Sequence, residues 1–125
     1  MAISNTKIAE TIGRITTMAG IKHVPADVIA DVVALANVFP NEPDFDSAAD
    51  NVFRSLILIR RKPQIGGELK DNYTGYRSYH YQSKRVKKHP ADLRTIYREE
   101  NGVIYLHGFG HRHNPDSVYK RFMGR

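Results

Sequence analysis

With 125 residues the chain has the length of one domain built around one hydrophobic core. It has no cysteine, which excludes disulfides, thiolate metal sites and thiol nucleophiles, and it has no apolar run approaching the ~20 residues that span a bilayer. Its net charge of +6 is uneven: residues 1–50 carry 3 Lys/Arg against 7 Asp/Glu and residues 51–125 carry 16 against 6, so the second half calls for a polyanionic partner. The absence of cysteine and of a charged-then-apolar N-terminus leads to the expectation of a soluble, cytoplasmic protein with no membrane partner.

Ile8, Ile12, Ile15 and Ala19 recur at helical spacing after a cap at Ser4 or Asn5, and Gly20 closes that segment. A second helix starts at Pro25, a residue allowed in a first turn, with Val28, Ile29, Val32, Leu35, Ala36 and Phe39 on one stripe. The stretch "FPNEPDFDS" (39–47) is turn chemistry, and Asp46 or Ser47 can cap a third helix whose apolar face is Ala49, Val52, Phe53, Leu56 and Ile57. "RRKP" ends it, with cations suited to the C-terminal dipole and a proline as the stop.

From residue 75 the period becomes two. "GYRSYHYQ" (75–82) alternates Tyr76, Ser78 and His80 against Arg77, Tyr79 and Tyr81, the pattern of a strand. "DLRTIYREENGVIYLHG" (92–108) gives two strands around an Asn101-Gly102 turn. Between these lies an exposed basic loop, "SKRVKKHPA" (83–91), and "NPDSVYKRF" (114–122) forms a closing helix that Asn114 or Asp116 can cap. The expected fold class is therefore α+β: helices, then an antiparallel meander, then a helix. A single domain over 1–125 is expected.

Three groups of residues could carry chemistry. "HGFGHRH" (107–113) holds three histidines, but it lacks the carboxylate or the helical i,i+4 pair usual in zinc hydrolase sites, so no metal is expected. There His107 reads as a half-buried strand residue and His113 as solvated, while His111 and Arg112 follow two glycines able to bend the chain and aim them out of the sheet. Arg77, Arg94, Arg98 and Arg112 form the second group. Arg94 and Arg98 share a face with Ile96, which suits either the mouth of a groove or ordinary solvated decoration. The third is the tyrosines, all seven in the basic half; rings interleaved with arginines are what single-stranded RNA recognition uses. Lys70 and Tyr79, with Lys84, Arg85, Lys87 and Lys88 of the loop, make the expected RNA-contacting set.

"KPQIGGELKDNYTGYRSYHYQ", "LRTIYREENGVIYLHGFGHR" and "SVYKR", in that order, resemble the RelE/ParE superfamily of toxins from type II toxin–antitoxin systems, and in particular its mRNA interferases. The resemblance covers about residues 44–125 and implies a small twisted antiparallel sheet with helices on one face and a basic concave surface on the other, with residues 1–43 as an added helical layer. The family often opens with a strand, for which residues 1–43 offer no candidate. It further implies a metal- and cofactor-independent endoribonuclease that cuts ribosome-engaged mRNA by 2′-hydroxyl attack and is inhibited by a cognate antitoxin. By motif, Arg94 and Arg112 match phosphate-clamping arginines, Tyr119 the tyrosine that meets the substrate base, and Arg77 a basic residue on the first sheet strand. His111 falls at a basic or imidazole-bearing position, which gives a catalytic set of Arg77, Arg94, His111, Arg112 and Tyr119.

The position two beyond Arg77, where family members carry a basic residue that helps deprotonate the 2′-hydroxyl, is Tyr79; Glu68, His80 and His111 are its possible substitutes. Two other functions fit the same fold: a gyrase-directed, ParE-like toxin and a non-catalytic nucleic-acid-binding protein. The N-terminal helices are also a possible homodimer surface.

Overall fold

A computed structural model describes residues 2–113, 115 and 117–125. Helix α1 (Asn5–Thr16) starts where Ser4 accepts a hydrogen bond from the Lys7 amide at 3.1 Å, and it buries Ile15. After Gly20, at φ +80°, the chain enters strand β1 (Ile21–Lys22) and then helix α2 (Pro25–Val38), with proline in the first turn. Helix α3 (Glu42–Arg61) begins earlier than its expected caps Asp46 and Ser47. Asn41 is the cap, and Pro43 sits in the first turn, where its missing N–H is not needed.

Strands β2 (Gly67–Glu68), β3 (Arg77–Tyr81), β4 (Leu93–Glu100) and β5 (Val103–His111) follow, and helix α4 (Val118–Met123) closes the chain. The β4–β5 hairpin turns at Asn101-Gly102, both at positive φ, as the dipeptide predicts. The capping candidates Asn114 and Asp116 lie outside the described residues.

Among the described residues the sheet has five strands in the order β1-β5-β4-β3-β2. It is mixed rather than wholly antiparallel, because β1 runs parallel to β5 with Ile21 opposite Ile104. A strand within residues 1–43 is not expected from the sequence, because two residues are too few to show an alternation.

Helices α1, α2 and α3 pack on one face of the sheet, around Phe45, Leu56, Tyr97, Phe109 and their neighbours. Helix α4 takes the other face, where Val118 and Phe122 cover Ile96. The expectation of helices on one face alone is thus corrected. Two features of β5 allow it. Its register slips opposite Ile96 and Tyr97, so His107 is an extra residue and Leu106 and Phe109 both face the large core. Gly108 and Gly110 then bring backbone against α4: a Cβ on Gly110, at φ +145°, would lie 2.7 Å from Arg121 Nη2. The glycines of "HGFGHRH" therefore serve close approach, and β5 runs straight on through His111.

Helix α2 departs from its expected stripe. Ile29 is 48% exposed, and Asp31 is 1% exposed in the interior. Asp31 accepts from the Phe109 amide at 3.1 Å, from Arg121 Nε at 2.8 Å and from both terminal nitrogens of Arg125 at 2.6 and 2.9 Å. A buried carboxylate is tolerable only when paired and hydrogen-bonded in this way. The acidic first half also meets the basic second half at the surface, where Lys84 pairs with Asp44 at 2.8 Å.

Candidate functional site

Strand β3 gives the site its faces. Ser78 and His80 stand opposite Ile96 and Arg94 of β4, on the α4 side, while Arg77, Tyr79 and Tyr81 face the three-helix side. Beside α4 the sheet opens into a groove of about 620 Å³ lined by Glu68, Leu69, Lys70, Ser78, His80 and Tyr119, with Tyr79 reaching it at the strand edge. The Tyr119 hydroxyl and the Ser78 hydroxyl lie 2.8 Å apart, which ties α4 to β3 at the groove wall.

Arg94 is 6% exposed and donates through Nη1 to the carbonyls of Ala91 at 2.6 Å and Leu93 at 3.0 Å, and its Nε is buried without a partner. An orphaned buried donor costs roughly 1–3 kcal/mol. Such a guanidinium acts through its charge more than through direct contact. Arg112, just past the end of β5, is exposed; its amide bonds the Asp92 carbonyl at 3.0 Å and its Nε approaches His113 Nε2 at 3.0 Å. The pKa of His80 falls below the ordinary imidazole value, through partial burial of the ring and through the positive charges of Arg94 and Arg112. His80 thus stands in the groove wall, opposite Arg94, in a setting that disfavours its protonated form.

The fold brings Arg94 and Tyr119 of the expected catalytic set to this face, and leaves Arg112 exposed beyond the end of β5. Arg77 lies on the other side, where its Nη1 donates to the Gly66 carbonyl at 2.8 Å. His111 stands opposite Leu93 on the helix side, its ring edge-on to Phe39 at 6.3 Å and near His113 at 5.1 Å. His107 packs against Tyr76 and Phe122, and its Nε2 is buried without a partner. Of the RNA-contacting set, Lys70 and Tyr79 line the groove, and Arg85, Lys87 and Lys88 are exposed on the loop. Lys84 is taken up by Asp44.

Sequence reading offers His80 only as one of three substitutes for a missing base. The alternation that puts it beside Ser78 is visible there; its pairing with Arg94 needs the register of β3 on β4. Asp31 escapes it altogether, because an acidic residue on an apolar helix reads as solvated. Among the described residues, no three His, Cys, Asp or Glu side chains are arranged to hold a metal ion, and no helix is long and apolar enough to cross a membrane. No protein-family model, curated protein or solved structure matches the chain.

Proposed function

We propose that the protein is a RelE-like endoribonuclease toxin that cleaves mRNA at the groove between β3 and α4. The observation that carries this reading is the placement of His80 opposite Arg94 on the groove wall, beside the Ser78–Tyr119 hydroxyl pair. Strand cleavage by the neighbouring 2′-hydroxyl needs a base, positive charge for the phosphorane and a proton for the departing oxygen.

In this reading His80 takes the 2′-hydroxyl proton as the 2′-oxygen bonds to phosphorus. Arg112 meets the phosphate oxygens, and the buried Arg94 charge supports the same anion from beneath. The bond from phosphorus to the 5′-oxygen breaks, and that oxygen takes a proton from the Tyr119 hydroxyl, which Ser78 orients. The products are a 2′,3′-cyclic phosphate and a 5′-hydroxyl. An antitoxin with a disordered acidic segment would inhibit by ordering on this basic face.

End-group analysis tests the chemistry. Messenger fragments produced by the wild type should carry a 2′,3′-cyclic phosphate and a 5′-hydroxyl, and His80→Ala should produce none. Fragments with a 3′-hydroxyl and a 5′-phosphate would overturn the mechanism.

A further inference from the structure

Around the edge of β3 from the groove lies a second cavity of about 410 Å³, between α3, β3 and the loop after it. Its size falls within the ~300–1,000 Å³ of small-molecule sites. Arg54 and Ser55 of α3, Tyr79, His80 and Tyr81 of β3, and Arg85 of the loop are among its walls. No aspartate or glutamate lines it. Among the described residues neither Arg54 nor Arg85 has a carboxylate partner, whereas Arg14, Arg98, Arg121 and Arg125 each have one. Two unneutralised guanidinium groups thus face one hollow.

An aromatic wall stands with them. The rings of Tyr79 and Tyr81 stack at 5.6 Å and 20°. Tyr81 is fixed from behind, its hydroxyl 2.7 Å from Thr95 Oγ1, which in turn lies 2.8 Å from the Ser55 hydroxyl. The loop is also held in place: Ser83 is 1% exposed and bonded to Asp92 through its amide at 2.7 Å and its hydroxyl at 2.6 Å. The cavity is therefore a formed site, with flat rings, two free cations and a rigid frame. That is the chemistry of a nucleotide, a planar base carrying a phosphate.

Position supplies the remaining argument. Strand β2 pairs with β3 at Arg77 and Ser78, so among the described residues the edge of β3 beyond Ser78 has no neighbouring strand. Tyr79 and His80 line both the groove and the cavity. A single strand lying in the groove at His80 can pass over that open edge directly into the cavity.

We propose that the cavity is a subsite for a nucleotide neighbouring the cleaved one in single-stranded RNA, its base against the Tyr79–Tyr81 pair and its phosphate held by Arg54 and Arg85. The inference rests on the ribonuclease reading only for the identity of the ligand as RNA. It assigns substrate grip to a surface that adjoins the cleavage groove at Tyr79 and His80.

The test uses full-length protein and fluorescence anisotropy with a labelled ten-nucleotide single-stranded RNA, a labelled mononucleotide and a labelled glutamate-rich peptide. Arg54→Ala/Arg85→Ala replaces two exposed side chains, and its thermal melt should match that of the wild type. This double variant should bind the RNA at least tenfold more weakly, with the slope of log K against log salt reduced by about 0.7 for each phosphate no longer held. Tyr79→Leu should weaken binding severalfold without changing that slope.

Equal RNA affinity for wild type and double variant overturns the subsite, as does a wild type that binds no RNA. Binding of the mononucleotide with no gain for the decamer overturns it in favour of a free-nucleotide site; arginine-dependent capture of the acidic peptide alone overturns it in favour of a protein partner. If the decamer binds through Arg54 and Arg85 but no preparation cleaves messenger, the subsite stands and the ribonuclease reading fails.

Discussion

Two residues stand out at the smallest scale, and neither is prominent in the sequence. His80 draws its character from its neighbours: partial burial and the charges of Arg94 and Arg112 lower its pKa from 6.5, so the neutral form persists to lower pH than in a free histidine. If it is the base, the cleavage rate should hold through neutral pH and fall only on an acid limb whose midpoint lies below 6.5, as a pH–rate profile will read. A midpoint above 6.5 would remove His80 from that role. Asp31 is the second. Replacing it with asparagine removes the buried charge that Arg121 and Arg125 share, Arg125 keeping Asp27 at 3.3 Å, and a loss of about 3–5 kcal/mol is expected in urea unfolding. A loss under ~1 kcal/mol would mean that the cluster contributes little to stability. Composition and alternation make the tyrosines and arginines legible as a candidate nucleic-acid surface. They cannot show that Arg77 and Arg94 face opposite sides of the sheet, because that depends on how β3 and β4 pair.

At the scale of elements, the short helix α4 is the critical piece, since it carries Tyr119 to Ser78 and covers Ile96. A six-residue helix has little stability of its own, so its place depends on what the sheet offers it. Gly110→Ala should therefore do more than strain one residue. The added methyl meets Arg121 Nη2, which is held by the Phe109 carbonyl at 3.0 Å while its Nε is held by Asp31, so the clash cannot be relieved by a swing of the side chain. Unfolding should show a loss of about 2 kcal/mol or more, and cleavage should fall with it. Retention of wild-type stability would contradict the close-approach account.

His107 beneath the same helix adds a pH dependence. Burial lowers its pKa from 6.5, with the Arg98 charge helping, so the unfolded chain binds the proton more readily. Its contribution to stability is present above 6.5 and is lost as pH falls through the lower folded value; His107→Phe should flatten that part of a pH–stability curve. The elements themselves are largely readable: the Ser4 cap, Pro25 at a helix start, the Asn101-Gly102 turn and the period-two strands all stand where their chemistry puts them. Strand β1 is not, because its pairing is set by β5 across the fold and not by its own two residues.

For the whole molecule, the division of charge along the chain becomes a division in space. Acidic groups of α2 and α3 neutralise Lys7, Arg14, Lys84, Arg121 and Arg125, while Arg54 and Arg85 keep their charge at the cavity that meets the groove at Tyr79 and His80. The central claim is that this face cuts messenger through His80, and it is tested most directly by mapping cleavage of a translating mRNA in a cell-free bacterial system with wild type, His80→Ala, Arg112→Ala and His111→Ala. The account predicts cuts by the wild type, a loss of at least a hundredfold for His80→Ala and Arg112→Ala, and cutting within a few-fold of wild type for His111→Ala. Intact messenger with the wild type, or full activity in His80→Ala, would contradict it.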